Sequence, residues 1–527
     1  MNLRRLPIIV ALAASALPAQ TLDPARLLQQ PTDTWPTYNG DYSGRRFSPL
    51  AEINTANVKS MTLAWEYRLN PGPGGTITAP IKSTPLEVNG VLYFSIPDHA
   101  WAVDARTGRE LWHYKWETHG GIHIGNRGMG MYGDWLFFET PDNYLVSLNA
   151  KDGTERWHVE IADVKQEYFS TPAPIIIRNH VLVGVGGDSL DVPGYLESRD
   201  PETGQVQWRW NTTPRKGEPG AETWPNQDAM EHGGGMTWLP GTYDPELNLY
   251  FLGTGNPNPV MAGQGRKGDN LWTCSIVALN PDTGKMAWYF QASPHDTHDW
   301  DAVETPVLID GEVNGQPRKL LAQASRNGYY FLLDRSNGKN IVSKPFVHIN
   351  WSSGLDAQGQ PIGNPEKYPR PDGTIITPFM SGATNWIPPS FDPETGLFYA
   401  NTTRSYSIFY QTDTGEKPEG YGGRDTGLFL SYVLKAIDYK TGDIRWSHEY
   451  PAHSGTPSGI LTTAGKLLFT GDPSGNFIAY EALTGRILWH AHLIAPVANG
   501  PMSYELDGRQ YVVAGAGDSL YGFTLLP

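Results

Sequence analysis

A phrase of ten residues recurs seven times along this chain and constrains its fold more than any other feature. The phrase reads Val-Asp-Ala-Arg-Thr-Gly-Arg-Glu-Leu-Trp at 103–112. Further copies lie at 148–157, 199–208, 279–288, 437–446 and 480–489, and a weaker copy without the Trp lies at 333–342. A repeat at this spacing indicates an architecture assembled from similar units.

Each copy has the composition of a tight turn between two β-strands. An alternating apolar stretch precedes it, an Asp or Asn in the turn can bond its own backbone, and Gly supplies the left-handed conformation. The Trp then lies on the following strand and gives the hairpin an aromatic anchor. One hairpin cannot bury its apolar face alone, whereas units stacked in a ring can.

The spacing of the copies predicts an all-β fold, an eight-bladed β-propeller with tryptophan-containing blades. Steps of 43 to 54 residues between the last positions of successive copies suit one four-stranded blade each. Two longer steps, of 80 and 104 residues, leave room for an extra degenerate blade, and we expect segments 243–253 and 391–400 to fill those places. The early strand around 64–67 can pair with the last blade and close the ring. We expect little helix.

The composition agrees with a turn-rich β protein and argues against a nucleic-acid partner. The 527 residues include 58 Gly and 43 Pro, and 12% are aromatic. The formal net charge is −15, and no basic stretch offers contacts to phosphates. Because a propeller is one closed unit, we expect residues 20–527 to form a single domain.

The N-terminus has the features of a cleaved signal peptide over residues 1–19. Arg4 and Arg5 form a positive start, and the apolar run at 6–17 is too short to span a bilayer. No other run approaches the length of a membrane span, so we expect a periplasmic or secreted protein. Cys274 is the only cysteine, which excludes an intrachain disulfide and a Cys-x-x-Cys-His haem attachment.

Blocks between the repeats resemble those of the PQQ-dependent (quinoprotein) alcohol dehydrogenases. These enzymes are eight-bladed propellers that hold pyrroloquinoline quinone (PQQ) on the central axis, and the likeness runs from about Trp35 to the end of the chain. The blocks are the segment 35–50, Gly-Gly-Gly-Met-Thr-Trp at 233–238, Gly-Thr-Gly-Asn-Pro-Asn-Pro at 253–259, Pro-His-Asp-Thr-His-Asp-Trp-Asp at 294–301, Ser-Arg-Asn-Gly at 325–328 and Gly-Ala-Thr-Asn-Trp at 382–386.

The resemblance implies an exported enzyme that oxidises an alcohol or sugar hydroxyl to a carbonyl with PQQ and a bound metal ion. The resemblance is to the single-domain type of this family, which has no cytochrome c domain. Electrons would pass one at a time to a separate acceptor such as a soluble cytochrome c.

PQQ is a flat tricarboxylate, so its site needs an aromatic floor together with cations or hydroxyl groups for the carboxylates. Trp238 matches the family's stacking Trp, and the glycines before it would let the backbone pass close to the axis. Lys82 falls where the family has a Glu, and its charge suits a tricarboxylate. The resemblance assigns the other contacts to the cofactor to Arg127, Thr171, Arg326 and Asn385.

The resemblance also implies a catalytic base and a metal site. Asp299 matches the catalytic aspartate, and a carboxylate beside a metal ion stays ionised and can accept a proton. Arg326 would stabilise charge as the quinone is reduced. Asn256 matches a metal ligand, and Asp301 lies where lanthanide-using relatives carry an additional Asp. Oxygen ligands suit Ca²⁺ or a lanthanide ion.

Two departures from the family pattern affect this site. The family's adjacent cysteines fall on Gly121 and Ile122, and its metal-binding Glu falls on Ser189. Asp188 can replace that Glu only if the loop is irregular, because adjacent residues of a strand point to opposite faces.

A non-catalytic propeller remains an alternative from a different class. Related propellers without a cofactor serve as envelope scaffolds or binding modules, and Trp238 and Asp299 can be read simply as a packing Trp and a turn cap. Such a scaffold would not need Asn256, Asp299, Arg326 and Trp238 together.

Overall fold

The structure is a computed structural model that describes residues 21–73, 75–187, 191–451 and 454–526. The expected signal peptide lies outside these residues. The described helices are the short α-helix α1 (Gln227–Glu231) and the 3₁₀ helices Pro24–Leu28, Val58–Ser60, Val164–Gln166, Ala221–Thr223, Gly263–Arg266 and Pro365–Lys367. None of them is long and apolar enough to cross a membrane. The expectation of little helix is confirmed.

The remainder of the regular structure is β-strand, numbered along the chain. The first half contains β1 (Phe47–Ser48), β2 (Met61–Arg68), β3 (Leu86–Val88), β4 (Val91–Ile96), β5 (His99–Asp104), β6 (Glu110–Lys115), β7 (Gly130–Tyr132), β8 (Trp135–Glu139), β9 (Tyr144–Asn149), β10 (Glu155–Glu160), β11 (Ile175–Ile177), β12 (His180–Gly184), β13 (Tyr195–Arg199), β14 (Val206–Asn211), β15 (Thr242–Asp244), β16 (Leu249–Gly253), β17 (Ser275–Leu279) and β18 (Met286–Gln291). The second half contains β19 (Val307–Val313), β20 (Gln316–Ala324), β21 (Tyr329–Asp334), β22 (Asn340–Pro345), β23 (Ser352–Leu355), β24 (Pro361–Gly363), β25 (Thr374–Ile376), β26 (Ser390–Asp392), β27 (Leu397–Gln411), β28 (Gly423–Asp438), β29 (Ile444–Glu449), β30 (Leu461–Thr463), β31 (Leu467–Gly471), β32 (Asn476–Glu481), β33 (Ile487–His492), β34 (Met502–Leu506), β35 (Arg509–Ala516) and β36 (Ser519–Leu525).

The described strands form eight sheets of four or five strands, and β23 with β24 forms a separate two-stranded sheet. Seven of the eight sheets contain one copy of the repeat, always in the hairpin between the last two strands along the chain. The remaining sheet has the order β2-β36-β35-β34. In it Met61 lies opposite Leu525 and Arg68 lies opposite Ser519. The early strand therefore closes the β-propeller against the end of the chain, as the sequence predicts.

The two long gaps in the repeat contain no additional four-stranded sheet among the described residues, and the expectation of extra blades there was wrong; the second gap contains only the two-stranded sheet of β23 and β24. Segment 243–253 lies in β15 and β16, which share a sheet with the copy at 279–288. Segment 391–400 lies in β26 and β27, which share a sheet with the copy at 437–446. Connecting loops and long hairpins fill the gaps instead, because the distance between two repeats includes the connections as well as the strands.

The repeated Trp joins neighbouring sheets. Trp112 Nε1 donates to the carbonyl of Ala150 at 3.0 Å, and Ala150 lies in the turn of the next sheet. Gly153 of that turn has φ +72° and lies against the same indole, because a Cβ there would be 2.6 Å from Trp112 Cε3. The other Trp and carbonyl pairs are Trp65–Ala105, Trp157–Glu202, Trp208–Pro281, Trp288–Arg335, Trp446–Ala482 and Trp489–Met61. The repeat thus supplies the residues that meet between sheets as well as those of the turn.

Candidate active site

The candidate residues converge because they occupy equivalent places in successive sheets. The segments just before the first strand of a sheet carry Lys82, Arg127, Thr171, Trp238, Asp299 and Asp301, and Asn385 lies just before β26. Asn256 and Arg326 follow the ends of the second strands β16 and β20. In an antiparallel pair the start of one strand and the end of the next lie at the same edge. The repeat therefore brings all nine residues to one face of the propeller.

Arg127 lies between two indole rings. Its guanidinium carbon is 4.8 Å from the centre of the Trp238 ring and 5.1 Å from that of the Trp386 ring. Thr171 joins this group, since its carbonyl accepts a hydrogen bond from the Arg127 backbone N–H at 3.1 Å and its hydroxyl donates to the Trp238 carbonyl at 3.3 Å. We call the space bounded by Trp238, Trp386 and Arg127 the aromatic slot.

The aromatic slot holds two cations without a matching anion. Lys82 Nζ lies 5.7 Å from the centre of the Trp386 ring, close to Arg127. No carboxylate of the described residues pairs with either side chain, and Arg127 Nε is buried without a hydrogen bond. Burial lowers the pKa of Arg127 to about 10, and burial together with the Arg127 charge lowers that of Lys82 to about 8. Buried charges normally have partners, so this slot fits a flat, aromatic polyanion.

A second group beside the slot has the opposite charge balance. Arg326 Nη2 lies 3.1 Å from Asp299 Oδ2, and Arg326 Nη1 lies 3.1 Å from Asp301 Oδ2. Both carboxylates are buried. Burial raises the pKa of Asp301, and the charge of Arg326 opposes that rise. The pKa of Arg326 lies above its ordinary value, because attraction to the carboxylates outweighs the lowering effect of burial. We call these three residues the acid cluster; it contains one more carboxylate than cation.

Trp238 connects the aromatic slot to the acid cluster. Its Nε1 donates to Asp301 Oδ2 at 2.7 Å, and Asp301 Oδ1 accepts the backbone N–H of Asn256 at 2.8 Å. Gly234 and Gly235, both with positive φ, permit this approach, since a Cβ on Gly234 would lie 2.6 Å from the Asn256 carbonyl oxygen. The glycines before Trp238 thus allow a close backbone contact with Asn256.

The acid cluster and Asn256 have the donor set of a hard cation. Asn256 is fully buried, and its Oδ1 accepts no hydrogen bond from the described residues. An unused buried amide oxygen beside a surplus carboxylate is a suitable ligand set for Ca²⁺ or a lanthanide. The described residues contain no group of three or more His, Cys, Asp and Glu arranged to hold a metal. Asp188 and Ser189 lie outside the described residues.

The three aspartates of segment 294–301 differ in their contacts. Asp296 Oδ2 accepts the backbone N–H groups of His298, Asp299 and Trp300, so it caps a turn. That turn holds Asp299 at φ +69°, a left-handed conformation that costs a residue with a side chain about 1–3 kcal/mol. Such strain is typical of functional positions, and Asp301 is buried rather than solvated.

Two findings modify the predicted residue set. The side chain of Asn385 forms hydrogen bonds within its own segment: its Nδ2 donates to the Ser381 carbonyl at 2.9 Å, and its Oδ1 accepts the N–H of Trp386. Its segment still packs on Arg326, whose carbonyl accepts the N–H of Ala383 at 2.7 Å. Trp386 was missed by the sequence analysis, although it closes the block at 382–386 that drew attention to Asn385.

Known proteins resemble this chain over most of its length. The family model described as PQQ: glucose/ethanol/alcohol dehydrogenase, beta-propeller domain, matches residues 35–348 and 432–512. A quinohemoprotein alcohol dehydrogenase of Comamonas testosteroni is 36% identical over 98% of this chain and 77% of its own length. The quinoprotein alcohol dehydrogenase PedH of Pseudomonas putida is 36% identical over 89% of this chain and 83% of its own. A europium-containing methanol dehydrogenase superposes with a TM-score of 0.85 at 28% identity, over 94% and 99% of the two chains.

Proposed function

Since the chain belongs to the family of PQQ-dependent alcohol dehydrogenases, and is an alcohol oxidoreductase, we propose that it oxidises an alcohol or sugar hydroxyl to a carbonyl with PQQ held in the aromatic slot. The observation that carries this assignment is the buried Arg127 between two indoles, with the partly buried Lys82 facing one of them. Bound PQQ would supply the two-electron acceptor, and the metal ion would act as a Lewis acid on it.

The side chains of the slot have roles in binding. Trp238 and Trp386 offer flat faces, Arg127 has a planar guanidinium suited to a carboxylate, and Thr171 adds a hydroxyl. Because Trp238 also bonds Asp301, a ligand stacked on its indole lies beside the acid cluster. Asn385 joins the slot as a donor only if it releases its local bond to Ser381.

Asp299 and Arg326 have roles in the reaction. The Asp299 carboxylate takes the proton of the substrate hydroxyl, and Arg326, held by two carboxylates, stabilises negative charge that develops nearby. The buried setting excludes water and strengthens both effects. Asp299 is oriented for this task by the turn that Asp296 caps.

We propose Asn256, Asp299 and Asp301 as ligands of Ca²⁺ or a lanthanide, with Asp188 as a further ligand in place of the family's Glu. The surplus carboxylate of the acid cluster and the similarity to a europium-containing enzyme support a trivalent ion. La³⁺ or Ce³⁺ is expected to support activity at least as well as Ca²⁺. Asp301→Ala should reduce the lanthanide response more than the calcium response, and equal responses would overturn this assignment.

We propose that the eight sheets are eight blades of one domain over residues 20–527. The Trp contacts that link each sheet to the next, except after the weak copy, support this arrangement. The protein is exported to the periplasm or outside the cell by the signal peptide over residues 1–19. The 527 residues contain one cysteine and therefore no Cys-x-x-Cys-His haem attachment of their own, so we propose that electrons leave them for a cytochrome c.

Titration of metal-free protein with PQQ, with and without Ca²⁺ or La³⁺, tests the function. Saturable quenching of tryptophan fluorescence is expected only with a metal, and Arg127→Met should weaken it. Arg404→Met removes an exposed Arg that pairs with Glu449, and it should bind PQQ as the wild type does. Absence of saturable binding with every metal would leave the envelope scaffold as the function.

A further inference from the structure

The aromatic slot is bordered on one side by residues 121–125, which we call the wall segment. Lys82 Nζ donates to the carbonyl of Ile124 at 2.5 Å. Gly125 packs on the same lysine, since a Cβ there would be 2.6 Å from Lys82 Cδ. Lys82 in turn faces Trp386. The wall segment is therefore joined to the slot through one side chain.

The wall segment presents apolar side chains to solvent. Ile122 is 40% exposed and Ile124 is 48% exposed. Two large apolar side chains at the border of an aromatic slot are expected to gain burial when a flat ligand enters it. The position of this segment should therefore influence how firmly the ligand is held.

His123 is the only polar side chain in the wall segment, and it is anchored outside the slot. Its Nε2 lies 2.5 Å from Asp98 Oδ2. Asp98 lies in the tight turn between β4 and β5, is 8% exposed, and its Oδ1 accepts no hydrogen bond from the described residues. A second anchor lies further back along the loop, where Asp142 accepts the backbone N–H of His119 at 2.8 Å.

We propose that the contact of His123 Nε2 with the Asp98 carboxylate fixes the wall segment against the aromatic slot and thereby slows the release of PQQ. His123 is a positioning residue in this role, since it acts through Ile122, Ile124 and Lys82. The inference rests on the proposed function, because it assumes that PQQ occupies the slot.

Asp98 provides the acceptor of this anchor. Burial raises the pKa of Asp98, and the contact with His123 opposes that rise. A hydrogen bond to an ionised carboxylate is stronger than one between two neutral groups. A permanently charged guanidinium at position 123 should keep this contact, whereas a neutral amide should weaken it.

Other charged groups face this pair and enter the design of the test. They are Asp142 and Lys115 near Asp98, His99 in the same turn, His113 bonded to His99, His119 in the loop, and Lys82 beneath Ile124. Burial lowers the pKa of His99 to about 4 and lowers that of His113, and Lys82 titrates near 8. Substitution of His123 leaves these groups in place, so a comparison of variants at one pH isolates its contribution.

The test is the rate of PQQ release from the metal-loaded holoenzyme, followed by recovery of tryptophan fluorescence after dilution. His123→Gln is expected to release PQQ about 5-fold faster than the wild type. His123→Arg, which carries a positive charge, should release it about as slowly as the wild type. His119→Gln is the matched control, because His119 is exposed in the same loop and bonds Asp142 only through its backbone.

The outcomes separate the inference from the function. Equal release rates for wild type and His123→Gln would overturn the role of the contact between His123 and Asp98 while leaving the enzyme assignment intact. A wild type that binds no PQQ would overturn both. If His123→Gln fails to fold by near-ultraviolet circular dichroism, Asp98→Asn replaces it, with the same expectation of faster release.

Discussion

At the scale of single residues, the site consists of two groups of opposite charge that meet at Trp238. Arg127 and Lys82 lack anions on one side of this indole, and Asp299 and Asp301 outnumber their one cation on the other. Keeping like charges buried together is unfavourable unless ligands compensate them. The protein is therefore expected to be more stable with its cofactor and metal than without them.

Asp299→Asn should lower turnover by at least about 100-fold, because an amide cannot accept the substrate proton. The fold and some PQQ affinity should remain, since the amide oxygen can still accept from Arg326. Steady-state turnover and fluorescence titration of PQQ measure the two effects. Asp296→Asn is the control, as its amide oxygen can still cap the turn. Normal turnover in Asp299→Asn with loss in Asp296→Asn would assign the base to Asp296.

The affinity for PQQ should fall as the pH rises through about 8, where Lys82 loses its charge. A bound anion favours the ammonium form and raises the pKa of Lys82, so affinity is full below the pKa of the free protein and is lost above it. A loss of about tenfold corresponds to a pKa difference of about one unit. Titrations at neutral and alkaline pH should show this loss in the wild type and its absence in Lys82→Met. An equal loss of PQQ affinity in the wild type and in Lys82→Met would show that Lys82 does not cause the pH dependence.

At the scale of elements, the repeated turn combines two functions in one short phrase. The Asp side chain bonds the backbone of its own turn, as Asp104 Oδ1 does with the N–H groups of Arg106 and Thr107. The Gly leaves room for the Trp of the preceding sheet. The weak copy at 333–342 ends in Val342, and the Gly442 turn of the next sheet packs on Lys344 and Tyr330 instead. The repeated phrase therefore also forms the contact between neighbouring sheets.

Gly153→Ala should destabilise the protein by about 2–4 kcal/mol, since a Cβ combines left-handed strain with a clash against Trp112. Gly508→Ala is the matched control, because Gly508 has φ +74° and no atom within 4 Å of the added Cβ. Its cost should be limited to the strain, about 1–2 kcal/mol. Thermal unfolding midpoints at one scan rate compare the two variants. A larger loss of stability in Gly508→Ala would contradict the role of the contact between Gly153 and Trp112 in joining the sheets.

At the scale of the whole molecule, the propeller closes through contacts between the two ends of the chain. β2 pairs with β36 along its length, and Trp489 Nε1 donates to the Met61 carbonyl at 3.1 Å. These contacts join residues more than 400 positions apart. Loop closure of this length costs conformational entropy that is recovered only when the last sheet forms. Closure should therefore couple all sheets into one cooperative unit.

A chain that ends at Asp518 lacks β36 and should lose cooperative thermal unfolding and PQQ binding together, because β2 and β35 then have no common partner. A chain that ends at Leu525 keeps every strand and serves as the control. Differential scanning calorimetry compares the two. A normal transition in the shorter chain would show that closure through β36 is dispensable.

The sequence alone determined the strands, the turns and the propeller, because turn chemistry and apolar alternation act within a few residues of each other. Through the family resemblance it also proposed Arg127, Trp238, Asp299 and Arg326 as site residues, and the structure brings these four together. Only the tertiary structure decided that Trp112 docks on the following sheet, that the long gaps contain loops, and that Asp301 bonds Trp238 while Trp386 closes the slot. These contacts join residues from different sheets, and their partners are set by closure of the ring, which no local pattern encodes.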